Sequence, residues 1–295
     1  MKVYIITSAK FEELYLEDWI KHSLSLGIDK IIINDNNPKD YKYQLKDILK
    51  KYIDNGQVII ERYYDEHELT ARSKERELNK VYSWLYNKYK NEFDWCCRLD
   101  IDEYLQIPET NNDIHKYLLK PEFIHKKLIL VPWKEYSTIK GEDFNDALLF
   151  RNVPVYLRNL RARTQIKLRF KSIIRSLKET QNLTWHAIDN IDKKDTILTN
   201  NIDLKYYSDL EIKLPDLKID DFTSFCYIKH YRLLSLEERL IRFNRLELEK
   251  YDDQINGIKV RLRHICDTDD LDYNYYYDLL FVHRRDLYKI KMEAE

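Results

Sequence analysis

From Phe93 to Leu99 the chain is mostly apolar, and it then meets three acids, Asp100, Asp102 and Glu103, spaced D-x-D-E. An apolar run of this length reads as a buried strand. Ionised carboxylates at its end need a cationic partner, because an unpaired buried charge is prohibitively costly. That partner is either an Arg or Lys side chain or a divalent metal, whose preferred ligands are hard carboxylate oxygens. Two other D-x-D spacings, Asp267-Thr268-Asp269 and Asp270-Leu271-Asp272, follow no apolar run and read as solvated loop. Only Asp100 and Asp102 stand at the carboxyl end of an expected central strand, where open α/β sheets place their ligands.

The strand beneath those acids belongs to a regular alternation. Strands are expected at Val3–Thr7, Lys30–Asn34 and Gln57–Arg62, with helices at Glu12–Leu26, Tyr43–Ile53 and Thr70–Lys90. Gly27 is placed to stop the first helix and Asn55-Gly56 the second. Strands alternating with helices predict an α/β fold whose mostly parallel central sheet is covered by helices on both faces. Beyond Pro108 the alternation weakens, leaving strands at Leu128–Val131, Arg169–Ile174 and Phe222–Ile228. Ser235-Leu236-Glu237-Glu238 forms a capping box that opens a helix to about Tyr251, and a last helix is expected near Tyr275–Lys291. The division expected is one domain over 1–245 with a helical C-terminal extension over 246–295.

Composition excludes several classes. With four Gly in 295 residues there is no glycine-rich phosphate loop, neither G-x-G-x-x-G nor a P-loop. A net charge of −1 gives no global attraction to nucleic acid. Cys96 and Cys97, adjacent on a strand, point to opposite faces and are poor disulfide partners, and no C-x-x-C pair offers a zinc site. Reduced thiols, an expected strand beginning at Val3 without a leader, and no long apolar stretch fit a cytoplasmic setting.

Several other groups offer chemistry. Arg151 to Lys178 holds nine Arg or Lys and no acid. Interleaved apolar residues set some of these cations beside the core, where they suit a diphosphate or anionic acceptor; the alternatives are a solvated face or a nucleic-acid contact. His230, expected at a strand end, could complete an oxygen and nitrogen ligand set with Asp102, suited to Mn²⁺, or serve a structural role. Asp35 and Asn36 close the second strand, as turn residues or as contacts to a nucleotide's base and ribose. Glu12 either complements the helix dipole or belongs to the site.

These residues resemble the glycosyltransferase family 92-like (and family 2-like) group, GT-A-fold enzymes. Lys10-Phe11-Glu12-Glu13, Glu17-Asp18-Trp19-Ile20-Lys21-His22, Leu26-Gly27-Ile28-Asp29 and Asp35-Asn36 are similar to the K-N-E, E-W-x-x-y-H, l-G-v-d and y-D-N motifs of that group. Trp95 to Leu105 resembles its W-x-x-x-x-D-x-D-E-F/Y-L core. Lys171-Ser172-Ile173-Ile174-Arg175 with His186, and His230-Tyr231 before Ser235-Leu236-Glu237-Glu238, resemble two further segments in family order. Phe11 stands where Asn is usual, Leu234 where Lys is common, and Glu135-Tyr136-Ser137-Thr138 replaces an expected f-G-s.

The resemblance implies a GT-A-like fold and metal-dependent sugar transfer from a nucleoside-diphosphate sugar, UDP-galactose being the first choice, to a glycan or lipid-linked saccharide. It implies nucleotide-sugar contacts from Thr7, Lys10, Glu12, Asp35, Asn36, Asp100, Lys171, Arg175 and His186. Mn²⁺ or Mg²⁺ would be held by Asp100, Asp102 and His230, with Asp100 on a ribose or a metal-bound water. An inverting mechanism adds a general base, for which Glu135, Glu142, Asp143 and Asp146 are candidates. The rival reading is a metal-dependent phosphodiesterase or nuclease using the same carboxylates. Arg239, Arg242, Arg245, His283, Arg284 and Arg285 lie among apolar residues of the two last helices, which either touch the inner face of a membrane or simply cover the sheet.

Overall fold

A computed structural model describes residues 1–10, 12–37, 39, 43–63, 74–137, 170–183, 191–202 and 222–233. The chain divides into two units, Met1–Tyr136 with Lys167–Arg232 and Ser137–Ile166 with Leu233–Glu295. Apart from Ser137 and Leu233, the described residues lie in the first. The two helices expected after Ser235 fall outside them.

The first half follows the alternation in the sequence. Strands β1 (Val3–Ala9), β2 (Lys30–Asp35), β3 (Val58–Glu61) and β4 (Trp95–Arg98) pair in parallel in the order β3-β2-β1-β4. Their near-continuous apolar runs arise because both faces are covered. On one face Val3, Ile5, Ile31, Ile33 and Cys97 pack with Leu16, Trp19 and Ile20 of helix α1 (Glu13–Ser25). On the other, Tyr4, Ile6, Ile32 and Cys96 pack with Val81, Tyr82, Leu85 and Tyr86 of the long helix Lys74–Tyr89. Cys96 and Cys97 thus lie in opposite cores, as strand alternation requires, and both are free thiols. Gly27 ends the first helix turn with φ +88°, a backbone state that disfavours a Cβ.

The helix expected over Tyr43–Ile53 is two short helices, α2 (Leu45–Ile48) and α3 (Lys50–Asp54). The bonds from Leu49 N–H to Leu45 O (2.9 Å) and from Ile53 N–H to Leu49 O (3.1 Å) meet at Leu49, which closes the first helix and opens the second. The long helix Lys74–Tyr89 is α4, and Ile114–Leu118 is α5.

Beyond β4 the pairing changes sense. Strand β5 (Glu103–Gln106) follows at once, then β6 (Leu128–Ser137), β7 (Phe170–Arg175), β8 (Thr196–Leu198) and β9 (Tyr227–Leu233). Antiparallel pairs β4·β7, β6·β7 and β5·β9 continue the sheet in the order β4-β7-β6-β9-β5, with β8 parallel to β6. The strand expected at Leu128–Val131 continues through Pro132. That residue stands opposite Phe170, the last pair of the ladder to β7 among the described residues. The strand expected at Phe222–Ile228 begins only at Tyr227. Phe222 to Phe225 instead form a turn closed by the Phe225 N–H to Phe222 O bond (3.0 Å), and buried Phe222 and Cys226 anchor it. His230 therefore lies inside a strand, not at its end.

Candidate active site

The three acids occupy a tight turn from Asp100 to Glu103 between β4 and β5. Glu103 N–H donates to Asp100 O (3.0 Å), and Asp100 N–H donates to Glu103 Oε2 (2.9 Å), so the turn is closed by both backbone and side chain. Two anchors fix it from outside. Trp19 Nε1–H donates to Glu103 O (2.8 Å), and Tyr231 N–H donates to Asp102 O (2.8 Å). The turn is thereby tied to α1 on one side and β9 on the other.

The acids have different partners. Asp100 Oδ1 accepts from the Tyr82 hydroxyl (2.7 Å) and Oδ2 from Lys171 Nζ (2.6 Å). Lys171, on β7, has a side chain only 1% exposed, and its Nζ also lies 3.3 Å from Glu103 Oε2. Arg98 is buried with its guanidinium carbon 4.0 Å from the Tyr82 ring centroid. Burial alone would raise the Asp100 pKa, but the Lys171 and Arg98 cations and the two hydrogen bonds hold it well below the usual carboxylate range. Burial likewise works to depress the Lys171 pKa, and Asp100 and Glu103 overcome it, so that pKa rises. Both directions describe an ionised pair.

Glu103 is fully buried and its Oε1 has no hydrogen-bond partner among the described residues. Burial, reinforced by Asp100 and Asp102 and opposed by Lys171 and His230, pushes its pKa up to about 8. Register sets it directly opposite His230 on β9. The His230 ring packs on Trp133 of β6 (centroids 4.5 Å apart), and its Nε2 is 3.7 Å from Asp102 Oδ2. One ligand atom each from Asp102, Glu103 and His230 lie within 4.8 Å of one another. Two acidic side chains and an imidazole form a donor set that a divalent cation fits, and Glu103 Oε1, buried without a hydrogen bond, is available to one. Asp100 is not among the three; its two oxygens accept from Tyr82 and Lys171.

The amino-acid sequence matches glycosyltransferase family 92 over residues 6–256. The chain belongs to that family. No curated protein sequence matches it. Among solved structures, S. aureus TarS is similar at 16% identity with a TM-score of 0.33, over 60% of this chain and 28% of TarS. The galactosyltransferase LgtC, solved in complex with donor and acceptor sugar analogues, is similar at 12% identity with a TM-score of 0.30, over 59% of this chain and 58% of that one. The chain therefore spans well under two thirds of either protein.

In this family 92 chain, Thr7, Asp35 and Asn36 lie toward the carboxyl ends of β1 and β2, the sheet edge from which the acidic turn also emerges. Lys10 and Glu12 follow β1 directly, and the Glu12 carbonyl accepts the first N–H bonds of α1. Asp35 is held by Arg62 (2.7 Å) and by Asn37 N–H (3.0 Å), and Asn36 N–H donates to Ala9 O (2.9 Å). Arg175, also expected as a nucleotide-sugar contact, lies elsewhere on the sheet. It pairs with Trp95 at the opposite end of β4, roughly 13 Å along the strand from Lys171 at 3.3 Å per residue. Its guanidinium lies over the Trp95 ring and donates to the carbonyls of Lys126, Phe123 and Ile124, so it braces the fold. Glu135 lies on β6, its side chain outside the described residues, as are Glu142, Asp143, Asp146 and His186 entirely. Reasoning from sequence missed Glu103 as a ligand candidate, and missed Tyr82 and Arg62. The E of D-x-D-E is the one signal for Glu103 in the sequence.

Proposed function

We propose that this protein transfers a sugar from a nucleoside-diphosphate sugar to a glycan or lipid-linked saccharide acceptor, with UDP-galactose the first donor to test. The convergence of Asp102, Glu103 and His230 at the strand-end turn of a family 92 chain carries this reading. Those three residues would hold Mn²⁺ or Mg²⁺, the imidazole favouring Mn²⁺. A divalent cation bound there supplies Lewis-acid stabilisation of the charge that develops on a departing diphosphate. The chain's own contribution is to fix the turn through Trp19 and Tyr231, so that the ligand atoms are preorganised. Asp35, Asn36 and Thr7 are assigned to the nucleoside, and Lys10 and Glu12 to its edge. Transfer with inversion adds a carboxylate base on the acceptor hydroxyl, drawn from Glu135, Asp143 and Asp146.

The phosphodiesterase alternative has less support: the net charge is −1, and Asp102, Glu103 and His230 are the one metal-competent cluster among the described residues. No helix among the described residues is long and apolar enough to cross a membrane. A cytoplasmic enzyme that meets a lipid-linked acceptor at a membrane face remains the setting proposed. Incubation with a panel of nucleotide-sugars and Mn²⁺, reading nucleotide release, tests the function. Release that EDTA and Asp102→Ala both abolish supports it. Hydrolysis of DNA or RNA with no turnover of any nucleotide-sugar refutes it.

A further inference from the structure

By resemblance Lys171 is a contact to the donor, yet the structure puts its ammonium among acids. Its side chain is 1% exposed, and its Nζ lies 2.6 Å from Asp100 Oδ2 and 3.3 Å from Glu103 Oε2, beside the Trp133 ring at 5.5 Å from the centroid. At that exposure the ammonium is turned to the acids and not to solvent. The carboxylates are also joined to each other, because Glu103 Oε2 accepts the Asp100 N–H (2.9 Å). Lys171 is the cation that both carboxyl groups share, and it favours the ionised form of each. Asp100 Oδ1 is already taken by Tyr82, which ties the turn to α4.

We propose that Lys171 is a positioning residue: a built-in counter-cation that pins Asp100 to Tyr82 and leaves Glu103, the last acid of D-x-D-E, facing Asp102 and His230. The second D-x-D carboxylate and the following Glu then act on the cation, while the first Asp and Lys171 act on the protein. Its fixed charge also tempers the acidic turn. Asp100, Asp102 and Glu103 are set against Lys171 and Arg98.

The inference rests on the sugar-transfer reading only through its metal readout, and a double-mutant cycle separates the two. Lys171→Met, Asp100→Asn and the double variant of the full chain are melted without nucleotide or metal, then titrated with Mn²⁺ by calorimetry. Lys171→Met should lower the melting temperature on the order of 10 °C, the scale for one uncompensated buried charge. Removing the stranded charge as well should reverse part of that loss, so the double variant should melt no lower than Lys171→Met. Lys171→Met should also weaken Mn²⁺ binding at least tenfold, because Glu103 loses the contact that orients it. Asp100→Asn, which leaves Lys171 on Glu103, should stay within about threefold of the parent. Additive losses of melting temperature overturn the proposal, as does Lys171→Met matching the parent in melting and Mn²⁺ affinity. If Lys171→Met does not fold, recovery of a folded protein in the double variant upholds the proposal and an equally unfolded double variant overturns it. A parent that binds Mn²⁺ but turns over no nucleotide-sugar refutes the sugar-transfer reading alone, because the melting cycle is independent of it.

Discussion

The two aspartates of the D-x-D spacing should respond in opposite ways to the same substitution. Asp100 is bonded to Lys171 at 2.6 Å and to Tyr82 at 2.7 Å, whereas Asp102 has its Oδ2 3.7 Å from His230 Nε2 within the cluster that could hold a metal. Asp100→Asn leaves the buried Lys171 with only the longer Glu103 contact. Removing one partner of a buried pair costs roughly 3–5 kcal/mol. Asp100 is 38% exposed, however, so solvent screens the pair, and Asn keeps a bond to Tyr82. About 2 kcal/mol is the reasonable loss. At roughly 2–4 °C per kcal/mol for a unit of this size, the melting temperature should fall by about 4–8 °C. Asp102→Asn breaks no such pair, and the melting temperature without metal should move by less than about 2 °C, the scale of a surface substitution. It removes an anionic ligand, though, and Mn²⁺ affinity should drop at least tenfold to a hundredfold, roughly 1.4–2.8 kcal/mol. Thermal melting and Mn²⁺ calorimetry on the same preparations read both effects. Loss of Mn²⁺ binding in Asp100→Asn at unchanged melting temperature, with Asp102→Asn binding normally, would refute the division of labour between the acids.

Three further outcomes follow from the packing around the site. Trp19→Phe removes the indole N–H from the Glu103 carbonyl (2.8 Å) in a fully buried setting, and should cost about 1–3 kcal/mol by urea unfolding; an unchanged midpoint would show that water replaces the donor. Gly27→Ala puts a Cβ 3.1 Å from His115 Cδ2 on a backbone with φ +88°, and should cost about 1–2 kcal/mol, more than Gly56→Ala, where φ is +72° but nothing lies within 4 Å. Burial, working against the Leu105 carbonyl that the ring meets at 2.7 Å, holds the His22 pKa below its usual range. Below about pH 6.5 the unfolded chain therefore takes up a proton that the folded chain refuses, and stability falls with pH until the depressed folded value is passed. His22→Gln should flatten the melting temperature between about pH 6.5 and 5, and a slope equal to the parent's there would remove His22 as its cause.

Local sequence pattern accounts for the half of the fold in which burial repeats along the chain. Val3–Ala9, Lys30–Asp35 and Trp95–Arg98 are apolar on both faces because helices cover both, and Leu16, Trp19 and Ile20 recur at helical spacing because one face of α1 is buried. The same local logic marked Asp100 and Asp102, since acids cannot end a buried strand without a partner. Which partner each acid takes is not local. Lys171 reaches Asp100 across 71 positions of sequence only because β7 runs antiparallel to β4, and the same ladder carries Arg175, four residues on, to the far end of the strand. His230 meets Glu103 through the register of β9 on β5, two strands too short or too displaced for periodicity to reveal. Hydrogen-bond register between distant strands, which leaves no trace in the composition of either, decided that Asp100 is braced by the protein while Asp102, Glu103 and His230 converge.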